Sequence, residues 1–431
     1  MDRRAGAFIP AAAAWLVTGA VLGLLMAAWP GAWLRLKPAH VAVVTVGWMT
    51  MLMFAMTLLV IPVFIRRQVV QGPWVPAQWL AANAGVAAVF AGHAAGSPRA
   101  VVAGWVLLAA AGVLFLLNIV LSARRGAAAA DGEERARRLA HPALDPEAMR
   151  AVDRLARRYT ETSVLLLVAG GALMALAWAG RAGAGGDAAG GYLLRYGWMS
   201  LLAWGTAYHM LPRWSGVLPR SLAAVRWQLV LAVAGTLVAA AGALGGWGLA
   251  VRTGVTLIAA AALVFSANVW GCMFHPLPDR GVSRGRTTSG AFIAASGLSL
   301  AAAGAAGLTW ALAGMPAGWF LAMTHLYLLG WQTLLAYGVA GWLLPLLAGV
   351  PFARPGLYRA QLALALPGVA GVAATFLLRD RFPAWPWPAI FGSFATLCAL
   401  AAILFAVNLV LTVMPVLGGR GRAAAAPSLV R

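Results

Sequence analysis

The segment THLYLLGWQTLLAYGVAGWLLPLL, residues 324–347, carries no ionisable acid or base except the imidazole of His325 and two weakly acidic tyrosines. It is longer than the roughly 20 apolar residues that a helix needs to cross the hydrocarbon core of a bilayer. An ionisable ring is costly in hydrocarbon, so a histidine inside a span predicts a partner or a function for that ring. The rest of the chain has to supply that partner.

The composition of the whole chain indicates a membrane protein. Of its 431 residues, 62% are hydrophobic and 10% are charged, and a soluble protein of this size could not cover such a surface with polar groups. The formal net charge is +21, but 31 of the 32 basic residues are arginines that lie between apolar runs. This pattern is typical of loop charges that set membrane topology, so membrane lipid is an expected partner and nucleic acid is not.

Apolar runs of about 20 residues occur twelve times along the chain. We therefore predict an all-α polytopic membrane protein with twelve transmembrane helices. The predicted spans are 9–29, 41–65, 75–93, 101–122, 162–179, 192–212, 227–245, 253–273, 290–313, 319–347, 360–378 and 387–416.

The arginines and the one lysine divide unequally between alternate loops. One set of loops, with the two termini, carries 24 basic residues, and the other set carries 8. Cytoplasmic loops hold the excess of Lys and Arg in membrane proteins, so both termini are predicted to be cytoplasmic.

Two short patterns recur at intervals of four spans. Gly-Trp pairs end at Trp48, Trp198 and Trp331, and a proline follows fourteen residues after each. The pattern Phe-x-x-Asn recurs in the fourth, eighth and twelfth spans, ending at Asn118, Asn268 and Asn408. These recurrences predict three four-helix units, with the asparagines as interhelical hydrogen-bonding groups near the cytoplasmic ends.

The predicted domain organisation follows from these units. In the linker, Asp145 as N-cap and Pro146 at the first helical position predict a short surface helix. The predicted segments are the first unit 1–122, the cytoplasmic linker 123–160, the second unit 161–273, a cytoplasmic loop 274–289, the third unit 290–416 and a cytoplasmic tail 417–431.

The six histidines fall into two groups. His93, His141, His209 and His275 lie in a loop or at span ends, where we interpret them as interfacial residues. His40 and His325 lie near the outer starts of the second and tenth predicted spans, at similar depth. Two imidazoles that face each other across a helix bundle can hold a haem iron from both sides, although two satisfied histidines at helix starts would look the same in sequence.

Two segments resemble subunit I of the haem-copper oxidase superfamily. RLKPAHVAVVTVGW and THLYLLGWQTLLAYGVAGWLLP are similar to its second and tenth helices, most of all in cbb3-type oxidases and nitric oxide reductases. The twelve spans and the threefold repeat agree with that fold, but the specific motifs lie in two helices. The resemblance implies that His40 and His325 are the metal ligands, holding one low-spin haem b.

The active-site ligands of that family are missing from this sequence. Its high-spin haem ligand falls on Met323, its sixth-helix copper ligand falls on Tyr192, and the seventh predicted span has no metal-binding side chain. All eleven acidic residues are predicted to lie in loops or at span ends, so no intramembrane proton relay can be drawn. We therefore expect no copper, and reduction of oxygen or nitric oxide is disfavoured.

Three arginines are candidates for binding the haem propionates. The family has an arginine pair between its last two helices, which the resemblance assigns to Arg379 and Arg381. Arg195, near the outer start of the sixth span, is a possible third. Guanidinium groups suit carboxylates because they donate paired hydrogen bonds, although arginines at span ends also occur simply because they snorkel to the surface.

These features predict a haem b protein of a bacterial cytoplasmic membrane that transfers electrons or senses through a bis-histidine haem. A cytochrome or another redox subunit is a possible partner. One alternative is a terminal oxidase or nitric oxide reductase subunit with unrecognised ligands. Another is a haem-free transporter or scaffold that keeps the fold, because fold alone does not decide function.

Overall fold

The computed structural model describes residues 3–29, 31, 33–65, 72–125, 143–274, 284–348 and 350–418. Within these ranges every regular element is helical. Several sequence predictions concern residues outside this part of the chain. They include His141, His275, the loop arginines Arg66 and Arg67, residues 126–142 of the linker, and the tail from residue 419 onward.

Nine helices in the described part are long and apolar enough to cross a membrane, as expected for a polytopic membrane protein. They coincide with nine of the predicted spans. The described residues form sixteen α-helices in all, including those too short to span a membrane alone. They are α1 Arg3–Gly6, α2 Phe8–Ala28, α3 Trp33–Ala42, α4 Met51–Ile65, α5 Trp74–Ala95, α6 Pro98–Arg125, α7 Pro146–Trp178, α8 Gly186–Tyr192, α9 Ser200–Ser215, α10 Leu222–Gly245, α11 Gly248–Phe274, α12 Arg284–Ala313, α13 Ala317–His325, α14 Leu334–Ala348, α15 Pro355–Leu378 and α16 Trp387–Leu417.

Three segments of π-helix interrupt this series. They are π1 Val43–Thr50, between α3 and α4; π2 Leu193–Met199, between α8 and α9; and π3 Leu326–Thr333, between α13 and α14. Each contains one of the Gly-Trp pairs, and each joins its two α-helices without a break. A π segment widens the turn and rotates the helix that follows it, and such segments are frequent at functional sites.

A hydroxyl group stands at the end of every π segment. The side chains of Thr50, Ser200 and Thr333 each donate to the carbonyl five residues earlier, at 3.1, 2.6 and 3.0 Å. Each hydroxyl residue comes two positions after the tryptophan of a Gly-Trp pair. The same local structure therefore recurs three times, in the second, sixth and tenth predicted spans.

Helix α7 confirms the predicted cap but corrects the prediction of a short surface helix. The Asp145 carboxylate accepts from the backbone N–H groups of Ala148 and Glu147, both at 3.1 Å, and these bonds hold the pKa of Asp145 below its ordinary value. The helix then runs for 33 residues to Trp178 and includes the predicted fifth span. Good helix formers continue without a glycine or proline from residue 147 to 169, so nothing ends the helix at the predicted boundary.

Two other predicted boundaries also move. Helix α3 begins at Trp33 rather than near residue 41, and Pro38 lies inside it. Helix α12 begins at Arg284, inside the predicted loop 274–289. His40 is consequently the eighth residue of its helix and does not stand at its start.

The chain divides into two compact units, Met1–Val44 with Pro276–Arg431, and Thr45–His275. We call them the first and the second compact unit. In the first, α16 packs between α2 and α15, and α13 packs on α12 and α15. In the second, α5 packs on α6 and α10 on α11, while α7 contacts α6 and α9.

Asparagines in two of the three Phe-x-x-Asn patterns clamp a neighbouring helix start. The Asn268 amide accepts from the backbone N–H of Ser221 at 2.8 Å and donates to the carbonyl of the same residue at 3.0 Å. Asn408 does the same with Arg354, at 2.9 and 3.0 Å. Ser221 and Arg354 each cap the helix that follows, so the predicted interhelical role of these two asparagines is confirmed.

Glycines allow helices α10 and α11 to approach each other closely in the second compact unit. A Cβ on Gly254 of α11 would lie 2.4 Å from the backbone nitrogen of Ala239 on α10. A Cβ on Gly235 would lie 2.8 Å from the Gly254 carbonyl oxygen. Small residues at such positions let two helix backbones approach closely. Such close packing drives helix association inside a membrane, where the hydrophobic effect does not.

Candidate functional site

His40 reaches from α3 to the backbone of α2. Its Nδ1 lies 3.0 Å from the carbonyl oxygen of Gly19. One turn further along α2, a Cβ on Gly23 would lie 3.3 Å from Cε1 of His40. Gly23 therefore leaves space on α2 for the imidazole, and any larger residue at this position would press on the ring.

His325 is the last residue of α13 and is held by its own helix and by α15. Its Nδ1 lies 2.8 Å from the carbonyl oxygen of Leu321, one turn earlier. The ring stacks on Phe376 of α15, with centroids 4.7 Å apart and planes 28° apart. Phe376 is buried in a cluster with Ala322 and Val372. This packing fixes the plane of the His325 imidazole.

The two imidazoles have the same hydrogen-bonding pattern. A carbonyl oxygen can only accept, so Nδ1 carries the proton in both rings and Nε2 keeps its lone pair. Within the part of the chain that the structure describes, neither Nε2 has a hydrogen-bond partner, and both histidines are partly buried. A backbone bond at Nδ1 that orients the ring and leaves Nε2 free is the usual arrangement of a metal-binding histidine.

His40 and His325 both belong to the first compact unit. Sequence separates them by 285 residues, and the fold places both in this one unit. The residues fit a group that takes one neutral imidazole on each side. No cluster of three His, Cys, Asp or Glu side chains occurs among the described residues.

Arg379 is connected to the histidine pair through Phe376. Its guanidinium carbon lies 5.7 Å from the centroid of the Phe376 ring, whose plane is stacked on His325. Nε of Arg379 is 3.5 Å from the Asp380 carboxylate, and 40% of the Arg379 side chain is exposed. The guanidinium is thus near the site and is accessible to a further carboxylate.

The other two predicted arginines differ from Arg379. Arg381 is exposed in the turn between α15 and α16, and its backbone N–H donates to Leu378 at 2.9 Å. Arg195 belongs to the second compact unit, where its Nε donates to the carbonyl of Gly191 at 3.1 Å. The propionate role of both stays a prediction.

Residues at the positions of the missing family ligands are buried. Met323 is 1% exposed and lies two residues before His325, so it faces a different side of the helix. Tyr192 is 6% exposed, and its ring centroid lies 5.9 Å from that of Tyr196. The polar side chains buried on α10 are Gln228 and Thr236, which are not metal-ligating types.

The two remaining described histidines have contacts of other kinds. His93 of α5 lies edge-on to Trp178, with centroids 4.7 Å apart. His209 of α9 lies 2.7 Å from the Asp153 carboxylate, which also binds Arg213 at 2.7 Å. Asp153 lies in the charged first half of α7, before the predicted fifth span.

Sequence reasoning missed the π segments that accompany both histidines. His325 directly precedes π3, and His40 lies three residues before π1. The available signal was the hydroxyl residue two positions after each Gly-Trp pair, since a hydroxyl can donate to a freed backbone carbonyl. The backbone partners of His40 and His325 could not be read from side-chain patterns.

No family model matches this chain, and comparison with curated proteins finds no match.

Proposed function

We propose that this protein is an integral membrane protein of haem-copper oxidase subunit I type that binds one low-spin haem b between His40 and His325. The observation that carries the proposal is the shared geometry of the two imidazoles. Each is anchored at Nδ1 by a backbone carbonyl, each offers Nε2, and both belong to the same compact unit. Neutral imidazole is a common axial ligand of haem iron.

The residues around the pair would do three things for a bound haem. The carbonyls of Gly19 and Leu321 hold the ligand rings in the Nδ1–H form, and Phe376 holds the plane of His325. The Arg379 guanidinium would pair with a propionate. A haem with histidine on both sides supplies one-electron transfer and leaves no open coordination position, so the proposed role is electron transfer or haem-based sensing.

We also propose twelve membrane spans in three four-helix units, with both termini in the cytoplasm of a bacterial cell. The three π segments with their terminal hydroxyl groups support the repeat, as do the clamps made by Asn268 and Asn408. A cytochrome or another redox subunit is the proposed exchange partner for electrons.

The test is the absorption spectrum of the purified protein, oxidised and then reduced with dithionite. We expect a low-spin b-type spectrum that is lost in His40→Ala and in His325→Ala. His93→Ala and His209→Ala are matched controls that remove an imidazole elsewhere, and both should keep the spectrum.

Two outcomes would contradict the proposal. If both ligand variants keep a full complement of low-spin haem, the ligands are assigned wrongly. If wild-type protein supplied with haem binds none, the haem-free transporter or scaffold becomes the better interpretation of the fold.

A further inference from the structure

A cavity in the second compact unit is lined by three exposed arginines and by no acidic residue. It has a volume of about 380 Å³ and lies between α7 and α10. The lining residues are Ala151, Arg154, Leu155, Arg158, Leu222 and Arg226. This volume falls within the usual range of about 300–1,000 Å³ for small-molecule sites.

The acids that could neutralise these arginines are engaged elsewhere. Asp153 binds Arg213 and His209, and Glu161 binds Nε of Arg157 at 2.6 Å. Arg154, Arg158 and Arg226 have no hydrogen-bond or ion-pair partner within the described residues. Three guanidinium groups around one cavity repel one another, and an anion placed between them would relieve that repulsion.

The cavity is built on a fixed helix contact. Tyr159 of α7 is buried, and its hydroxyl, which has one proton to donate, lies 2.5 Å from the Val225 carbonyl oxygen and 2.8 Å from the Gln228 side-chain oxygen. Arg158 and Arg226 directly adjoin Tyr159 and Val225 in sequence. The buried bonds therefore hold the two arginine-bearing helix segments at a set separation.

The cavity also lies where charged sequence gives way to apolar sequence. Helix α7 has no charged residue after Glu161, and α10 has none after Arg226. Trp227, next to Arg226, is 65% exposed. Tryptophan at such a boundary is typical of the membrane–water interface, where the phosphate groups of lipids lie.

We propose that this cavity binds a phosphate group, and that in the membrane the group belongs to an anionic phospholipid. Arginine suits this ligand because its planar guanidinium donates paired hydrogen bonds to phosphate oxygens. The site is independent of the proposed haem site, and its test does not require haem.

The test measures lipid binding to the purified full-length protein in a nonionic detergent by native mass spectrometry. The probes are phosphatidylglycerol, phosphatidylcholine with the same acyl chains, and inorganic phosphate. We expect phosphatidylglycerol to bind about tenfold or more tightly than phosphatidylcholine, since its headgroup carries the uncompensated charge. The triple variant Arg154→Gln/Arg158→Gln/Arg226→Gln should lose that preference.

The control variant removes the same charge from exposed arginines outside the cavity, Arg124→Gln/Arg150→Gln/Arg359→Gln. It should bind phosphatidylglycerol within about twofold of wild type. Arg226→Lys keeps the charge but loses the paired donors, so it should lie between wild type and the triple variant. It also keeps the test decisive should the triple variant fail to fold.

Equal loss of phosphatidylglycerol binding in the cavity and control triples would overturn the site, because net charge alone would then explain the effect. Unchanged binding in both triples, or in Arg226→Lys if only that variant can be purified, would overturn it as well. Displacement of phosphatidylglycerol by inorganic phosphate at equal affinity would keep the phosphate site and overturn its assignment to lipid.

Discussion

The imidazole of His325 stacks on the ring of Phe376, with centroids 4.7 Å apart and planes 28° apart. Phe376 is 5% exposed, so this ring is held by its own cluster and in turn holds the histidine. The orientation of a proposed iron ligand thus depends on a residue that itself ligates nothing.

Phe376→Leu should weaken haem binding by about two- to tenfold, because it keeps most of the buried volume but removes the aromatic stacking. The measurement is a haem titration of the purified protein, followed by absorption. Phe382→Ala is the control, since Phe382 is 39% exposed and stacks on Trp385 instead. Wild-type affinity in Phe376→Leu would show that stacking does not position the ligand.

Carbon monoxide should leave the reduced spectrum nearly unchanged, because a haem held by both His40 and His325 has no free axial position. Metal analysis should find about one haem iron per chain and no stoichiometric copper. Fast carbon monoxide binding, or copper at one per chain, would revive the reductase interpretation. The search for ligands would then turn to His93, Met323 and Tyr192.

Reporter fusions at residue 140 and at the C-terminus should both report the cytoplasm, and a fusion near residue 380 should report the outer side. The expectation rests on the division of basic residues into 24 and 8 between alternate loops. Opposite locations for residues 140 and 431 would require an odd number of spans between them and would exclude the three-by-four arrangement.

Asn408→Ala should lower the free energy of unfolding by about 1–3 kcal/mol, because it removes both hydrogen bonds to Arg354 and leaves the Arg354 backbone N–H without this partner. Denaturation in mixed micelles measures the change. Thr396→Ala on the same helix is the control, since its exposed hydroxyl donates only to its own helix, at Gly392.

The same loss is expected for Asn268→Ala, which removes the equivalent clamp on Ser221. Asn118→Ala should match both if the first four-helix unit is built like the other two. A negligible effect of Asn118→Ala beside large effects at the other two would count against a threefold repeat.

Sequence was sufficient to predict structural properties that belong to a single helix. Apolar length identifies a membrane span because hydrocarbon offers the backbone no partner outside its own helix. Nine of the described helices coincide with predicted spans, and Asp145 caps α7 as predicted. The extent of α7 was misjudged because its charged first half and apolar second half read as separate elements, although both favour helix.

Sequence singled out His40 and His325 because ionisable side chains are rare in apolar spans, and the family resemblance paired them. Sequence could not identify the carbonyls of Gly19 and Leu321 that orient the rings. Every residue has a carbonyl, and only the folded structure decides which one lies next to an imidazole. The stacking of Phe376 likewise depends on how α15 packs against α13.

The arginine cavity also combines a property that sequence predicts with one that only the tertiary structure decides. Sequence determined that Arg154, Arg158 and Arg226 lie near the ends of apolar runs, because charge is excluded from hydrocarbon. Only the tertiary structure decided that these three share one cavity while Asp153 and Glu161 are engaged elsewhere. Pairing of charges depends on distances between side chains of different helices, and helix packing alone sets those distances.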